Sequence, residues 1–169
     1  MRKKVLWTLF LALFLAFSLG ACGGRERATC REVLGAMIEG EVGLPAGSIY
    51  DMRAAEGSGE YLPSSLLYAL YGEGGKPPVA DDWLDCALFL SLSEHPCELA
   101  VLYCNSHDAA IDTARLLNTR LDVIRVTKGK PEHAAMLDSA RVTVNGNFVL
   151  MIISSDTENA QKLAQKVIK

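Results

Sequence analysis

Apolar residues recur at helical spacing from Cys30 to Glu39, with Val33, Leu34, Met37 and Ile38 on one side. Thr29 stands where an N-cap belongs, and Glu32 follows three residues on, which is the capping-box pattern. From Gly40 to Pro78, glycines and prolines break the periodicity. One short helix is expected there, Pro63 to Tyr71, with Leu66, Leu67 and Leu70 inward and proline in its first turn. The rest of that stretch reads as a connector crossing the surface. Cys86 to Ser93 and Cys97 to Cys104 are apolar runs of strand length, read as two buried strands around Glu94-His95-Pro96. Ser106 caps a long amphipathic helix whose stripe holds Ala110, Ile111, Ala114, Leu117, Leu121 and Ile124. Gly129-Lys130-Pro131 stops that helix, and a short helical piece follows over Glu132 to Leu137. Arg141 to Val144 and Asn147 to Ser154 flank Asn145-Gly146, a hairpin signal of the type I′ kind. Asp156 opens a closing helix bearing Ala160, Leu163, Ala164 and Val167.

These elements repeat at an offset of 50 residues. Tyr103-Cys104-Asn105-Ser106 aligns with Ile153-Ser154-Ser155-Asp156, Ala110 with Ala160, Ala114 with Ala164, and Leu117 with Val167. Two consecutive strand–strand–helix units predict an α+β fold, a four-stranded antiparallel sheet with its helices packed on one face. The expected organisation is a signal peptide over 1–21, a tether over 22–29, an N-terminal helix with a loop-rich segment over 30–80, and the α+β domain over 81–169.

The N-terminus has a pattern of another kind. Arg2-Lys3-Lys4 is a positive n-region, and Val5 to Phe17 is an h-region of 13 residues. A transmembrane helix needs about 20 apolar residues, so the segment fits an export signal instead. Leu19-Gly20-Ala21-Cys22 comes next and resembles the bacterial lipobox. In that signal the cysteine thiol takes a diacylglyceryl group, the chain is cut before it, and the new amine is often acylated. The resemblance implies that Cys22 is the lipidation site, with palmitate-type chains holding the protein on the extracytoplasmic face of the cell membrane. One acyl chain anchors marginally, whereas two or three hold firmly. Gly23 to Thr29 then acts as a tether with a reach of at most about 24 Å.

The whole chain has 169 residues and a formal charge of −3, room for one domain with a sizeable core. Without the first 21 residues, 14 Lys and Arg face 20 Asp and Glu, leaving −6. An acidic body lacks the basic footprint that nucleic-acid binding needs. The expected partners are the membrane, through the lipid on Cys22, and an envelope protein or small ligand.

The layout is similar to the bacterial lipoprotein family known as domain of unknown function 4358. Tyr71-Gly72 resembles that family's tyrosine-glycine segment, and Glu98-Leu99-Ala100-Val101 its second strand. Arg120 resembles its helix arginine, and Gly146-Asn147-Phe148-Val149 its terminal hairpin. Cys86, Cys97 and Cys104 depart from the pattern, as does Phe148 where tyrosine is commoner. The family has no established activity, so the resemblance implies a fold and an address but no active site.

Candidate chemistry is sparse. His95-Pro96-Cys97 and Cys104-Asn105-Ser106-His107 offer zinc-ligand types, but a strand about 23 Å long separates the two groups. Only Cys86, Cys104 and His107 have positions that could converge, three ligands without a fourth, and His107 reads more simply as an exposed residue in the first turn of the long helix. Asp81, Asp82 and Asp85 offer oxygens to a hard cation but lack the six to eight ligands and shaping glycine of a calcium loop, and read as a solvated entry. His95, His107 and His133 give no triad order, and no Gly-x-Ser-x-Gly elbow is present. Gly72, Gly74 and Gly75 precede Pro77-Pro78 instead of joining a strand to a helix, so they lack a phosphate cradle's context. Arg115, Arg120 and Arg125 read as the wet face of the long helix. No catalytic residue, cofactor or metal is therefore assigned. The expected function is a tethered, non-catalytic binding module. The alternative is a tethered hydrolase or thiol or metal enzyme using Cys86, Cys104 and His107.

With Cys22 lipidated, Cys30, Cys86, Cys97 and Cys104 remain, either paired or as buried free thiols. A five-residue connection, Ser93 to Cys97, sets Leu92 against Glu98 and Cys86 opposite Cys104. A two-residue turn at His95-Pro96 sets Ala87 opposite Cys104 instead. Proline cannot take the second centre of a type I′ turn, which favours the longer connection and a Cys86–Cys104 bridge.

Overall fold

Five strands form one antiparallel sheet: β1 (Gly47–Asp51), β2 (Trp83–Ser91), β3 (Glu98–Cys104), β4 (Arg141–Asn145) and β5 (Phe148–Ile153). Their order across the sheet is β1-β2-β3-β5-β4. The structure is a computed structural model and describes residues 27–41, 43–72, 80–92 and 94–169. Among these the fold is α+β, with five α-helices: α1 (Cys30–Glu39), α2 (Ser64–Tyr71), α3 (His107–Lys128), α4 (Ala134–Ser139) and α5 (Thr157–Ile168). The expected signal peptide, with Cys22 and its lipobox, lies outside the described residues.

The four strands expected are five. The extra one, β1, comes from the glycine-rich stretch and pairs with β2 at the sheet's edge. Residues 30–80 thus contribute α1, β1 and α2 to the same body as the later elements. The helices do not share one face either. Cys86 and Leu88, Ala100 and Leu102, and Val149 and Met151 pack with α2 and α3. Their alternates Ala87 and Phe89, Leu99 and Val101, and Leu150 and Ile152 pack with α1 and α5. Successive side chains of a strand point to opposite faces. Central strands that are apolar at nearly every position are therefore covered on both sides.

The internal repeat has a consequence that its sequence alignment hides. Leu102 packs on the α3 side whereas its counterpart Ile152 packs on the α1–α5 side, and Val101 and Met151 are exchanged likewise. α3 and α5 follow equivalent strands yet cover opposite faces. The two units share an order of elements and not a packing.

Local signals set the helix ends. Thr29 and Glu32 form the full capping box of α1. Ser106 accepts from Ala109 N–H at the start of α3, and Asp156 from Asn159 N–H at the start of α5. Buried positions of α3 are Ala109, Ala110, Thr113, Leu117, Leu121 and Ile124. Ile111, expected in that stripe, is exposed. The last hairpin also differs from expectation. Asn145 pairs with Phe148, so the turn residues are Gly146 and Asn147. Gly146 alone has positive φ, at 59°, the pattern of a type II′ turn with glycine at its first centre. The shift moves each cross-strand partner by two positions, which keeps every side chain on its face.

Candidate functional site

Two buried carboxylates stand at opposite ends of the sheet. The first belongs to Glu98, the opening residue of β3, only 4% exposed. It faces α3, where Arg120 donates through Nε to Oε1 at 3.3 Å and through Nη2 to Oε2 at 2.8 Å. Tyr71, the last residue of α2, donates its hydroxyl to Oε1 at 3.3 Å. One carboxylate thus ties a strand to two helices. Burial, with the Glu98 charge beside it, raises the Tyr71 phenol well above its ordinary range. Arg120, expected on the wet face, is therefore half-buried in an ion pair. The signal was its position three residues after Leu117 and four before Ile124, on the apolar stripe itself. Tyr71, Glu98 and Arg120 come from three separate segments of the chain and meet at this point.

On the same face, the Trp83 indole donates to Thr113 Oγ1 at 2.8 Å, and Cys104 Sγ lies 3.4 Å from that hydroxyl. Trp83 also meets Tyr71 edge to face, with ring centroids 6.1 Å apart. The expected Cys86–Cys104 bridge is absent, and Ala87 does not face Cys104 either. Leu90 stands opposite Glu98, Cys86 opposite Leu102 and Cys104 opposite Trp83, with a register shift between Trp83 and Asp85. Pairing continues to Ser91, which donates its N–H to the Cys97 carbonyl. The connection therefore runs from Leu92 to Pro96, and the thiols sit diagonally and not opposite. Cys30, Cys86, Cys97 and Cys104 are all free and buried. Burial raises each thiol above the ordinary range, Cys97 to about 12. The thiolate is the nucleophile and metal-binding form, so these sites favour the inert one.

The second buried carboxylate is Asp85, fully buried on β2 and facing α1. It accepts the Cys30 N–H at 2.9 Å through Oδ2, while Arg53 Nε lies 3.1 Å from Oδ1 without hydrogen-bond geometry. An anion at a helix N-terminus meets the positive end of the helix dipole. Asp85, expected at a solvated entry, is instead the floor beneath α1. Asp81 and Asp82 stay in a single 3₁₀ turn, where Asp82 Oδ1 and the Asp81 carbonyl accept from Asn105.

The remaining candidates disperse. His107 is exposed and its Nδ1 lies 3.0 Å from the Gly146 carbonyl, whereas Cys104 contacts Thr113. His95 and His133 rings meet edge to face at 4.7 Å, and His95 Nδ1 accepts the Cys97 N–H. Arg115 pairs with Asp112 on the surface. Arg125 pairs with Asp122 and donates to the Leu137 and Ala140 carbonyls. Gly72 ends α2, and Gly74 and Gly75 lie outside the described residues. Among the described residues, no group of three or more His, Cys, Asp or Glu is placed to hold a metal ion. No helix among them is long and apolar enough to cross a membrane. No family model, curated protein or solved structure matches the chain.

Proposed function

We propose that this chain is an extracytoplasmic lipoprotein, acylated on Cys22 and held at a membrane, whose body binds an envelope protein or a small ligand without chemistry of its own. The observation that supports a binding role is where the body's reactive side chains go. Glu98, Arg120 and Tyr71 join β3 to α2 and α3, and Asp85 joins β2 to α1. Each of these groups closes a contact between elements. The alternative, a thiol or metal enzyme using Cys86, Cys104 and His107, draws no support from their positions. Cys86 and Cys104 are fully buried, and His107 is turned to a backbone carbonyl. The resemblance to domain of unknown function 4358 is part of this proposal, and the residues it rests on at Tyr71, Glu98 and Arg120 meet in one brace.

Mass spectrometry of the mature N-terminal peptide tests the anchor. The expected result is a diacylglyceryl cysteine at position 22, and retention of precursor or release from the membrane in Cys22→Ala. An unmodified N-terminus, or cleavage elsewhere, overturns it. Turnover of an ester or peptide substrate that is lost in Cys104→Ser with the fold intact overturns the non-catalytic reading.

A further inference from the structure

The expected tether ends earlier than its composition suggests. Arg27 lays its guanidinium over the Tyr103 ring at 3.6 Å from the centroid, with the Phe148 ring at 5.9 Å. Ala28 packs against the core on the α1–α5 side. Thr29 caps α1, and the Cys30 N–H is held by Asp85. Asp85, Tyr103 and Phe148 are register partners across β2, β3 and β5. The incoming chain is therefore seated on one row of the sheet, at the end that carries the Gly146-Asn147 turn.

Lengths then decide what the body can do. If the chain were free through Thr29, its reach from Cys22 would be about 24 Å. Seated at Arg27, it is five residues long and reaches at most about 17 Å. From Glu98 to Cys104 the sheet itself spans about 20 Å. For the opposite end to face the bilayer, the seated corner must stand at least that far above it. The longer tether allows this inversion and the shorter one forbids it.

Resting on the Cys22 anchor proposed above, we infer that the Arg27 seat orients the body on the membrane. The Gly146-Asn147 end lies against the lipid surface, and the end formed by the β2–β3 connection and the C-terminus of α3 faces away. Lys128 Nζ donates to the His95 carbonyl at 3.2 Å, which fixes those two segments together. Leu92 and Val126, 71% and 86% exposed, are the two most exposed large apolar side chains among the described residues. Both belong to the segments presented outward.

The test uses the full lipidated chain in vesicles of phosphatidylethanolamine and phosphatidylglycerol containing a headgroup-linked energy acceptor. A donor dye is placed on Asn145→Cys or on Leu92→Cys, both exposed sites, the native thiols being buried. Transfer from position 145 is expected to exceed that from position 92 at least about twofold, given ends ~20 Å apart. In Arg27→Ala, which leaves the chain held only from Ala28 on and lengthens its reach to about 20 Å, the difference should shrink. Equal transfer from both positions, or more from position 92, in protein that floats with the vesicles overturns the orientation alone. A difference that persists undiminished in Arg27→Ala overturns the role of the seat. Protein that does not float refutes the anchor, and the inference falls with it.

Discussion

Glu98 and Asp85 are the two buried carboxylates of the sheet, set on opposite faces and at opposite ends, and they are neutralised differently. Glu98 has a bidentate guanidinium and a phenol, all drawn from long-range neighbours. Asp85 has one backbone N–H at a helix start and an arginine that is nearly half exposed. The first depends on one partner's charge, whereas the second divides its field between a helix dipole and a solvated cation. Stranding the Glu98 carboxylate should therefore be more damaging than deleting the Asp85 one.

The largest expected effect is Arg120→Met, which leaves Glu98 buried and unpaired. Loss of one partner of a buried pair costs about 3–5 kcal/mol, measurable by urea unfolding. Replacing Glu98 and Arg120 together by apolar residues, with Tyr71→Phe so that no phenol donor is stranded, should recover most of that loss. If Arg120→Met alone is as mild as a surface substitution, the contrast is broken. Asp85→Ala should cost less, about 1–3 kcal/mol, because it orphans the Cys30 N–H but leaves Arg53 in water. Hydrogen exchange at the start of α1 should rise in this variant, while exchange in α3 should not.

Thr29→Ala sharpens the same end by removing the cap and keeping the carboxylate. A loss of about 1 kcal/mol is expected, smaller than that of Asp85→Ala if the buried anion contributes most to holding α1. The smallest effect belongs to pH at the Glu98 end. Burial, then the charges of His133 and Lys128, hold the His95 pKa below its ordinary 6.5. The unfolded chain then binds the proton first, so stability falls as pH drops through 6.5 toward the folded value. Protonation would also remove the acceptor for Cys97 N–H. Melting curves from pH 7.5 to 5.5 should show this slope in the native chain and a weaker one in His95→Gln.

Much of the fold was legible because local rules governed it. The capping box of α1, the long α3 with its Ser106 cap, and the apolar runs of β3 and β5 appear where the sequence places them, while β2 starts three residues earlier than its apolar run, at Trp83, and ends at Ser91. β1 was not legible, since Gly47-Ser48-Ile49-Tyr50-Asp51 is an edge strand, partly buried throughout, in a glycine-rich neighbourhood. Two-sided coverage was present in the unbroken apolar character of Phe148 to Ile153, but the repeat suggested a single covered face. Helix order cannot distinguish the two, because face choice depends on the connection after each strand. The candidate site fared worse. Arg120 and Asp85 were assigned to water because their partners, Glu98 and Cys30, are 22 and 55 residues away. A charge on an apolar stripe was the available clue.

The row of Asp85, Tyr103 and Phe148 also has a mechanical meaning. A pull on the chain upstream of Arg27 enters the body through the stacked guanidinium and the first turn of α1. Those contacts deliver the load to β2, β3 and β5 together, three neighbouring strands of the sheet, with β2 and β3 as well as β3 and β5 joined by full ladders. No single hydrogen bond bears the whole force. The helix start acts as a footing, and the sheet behind it spreads the stress.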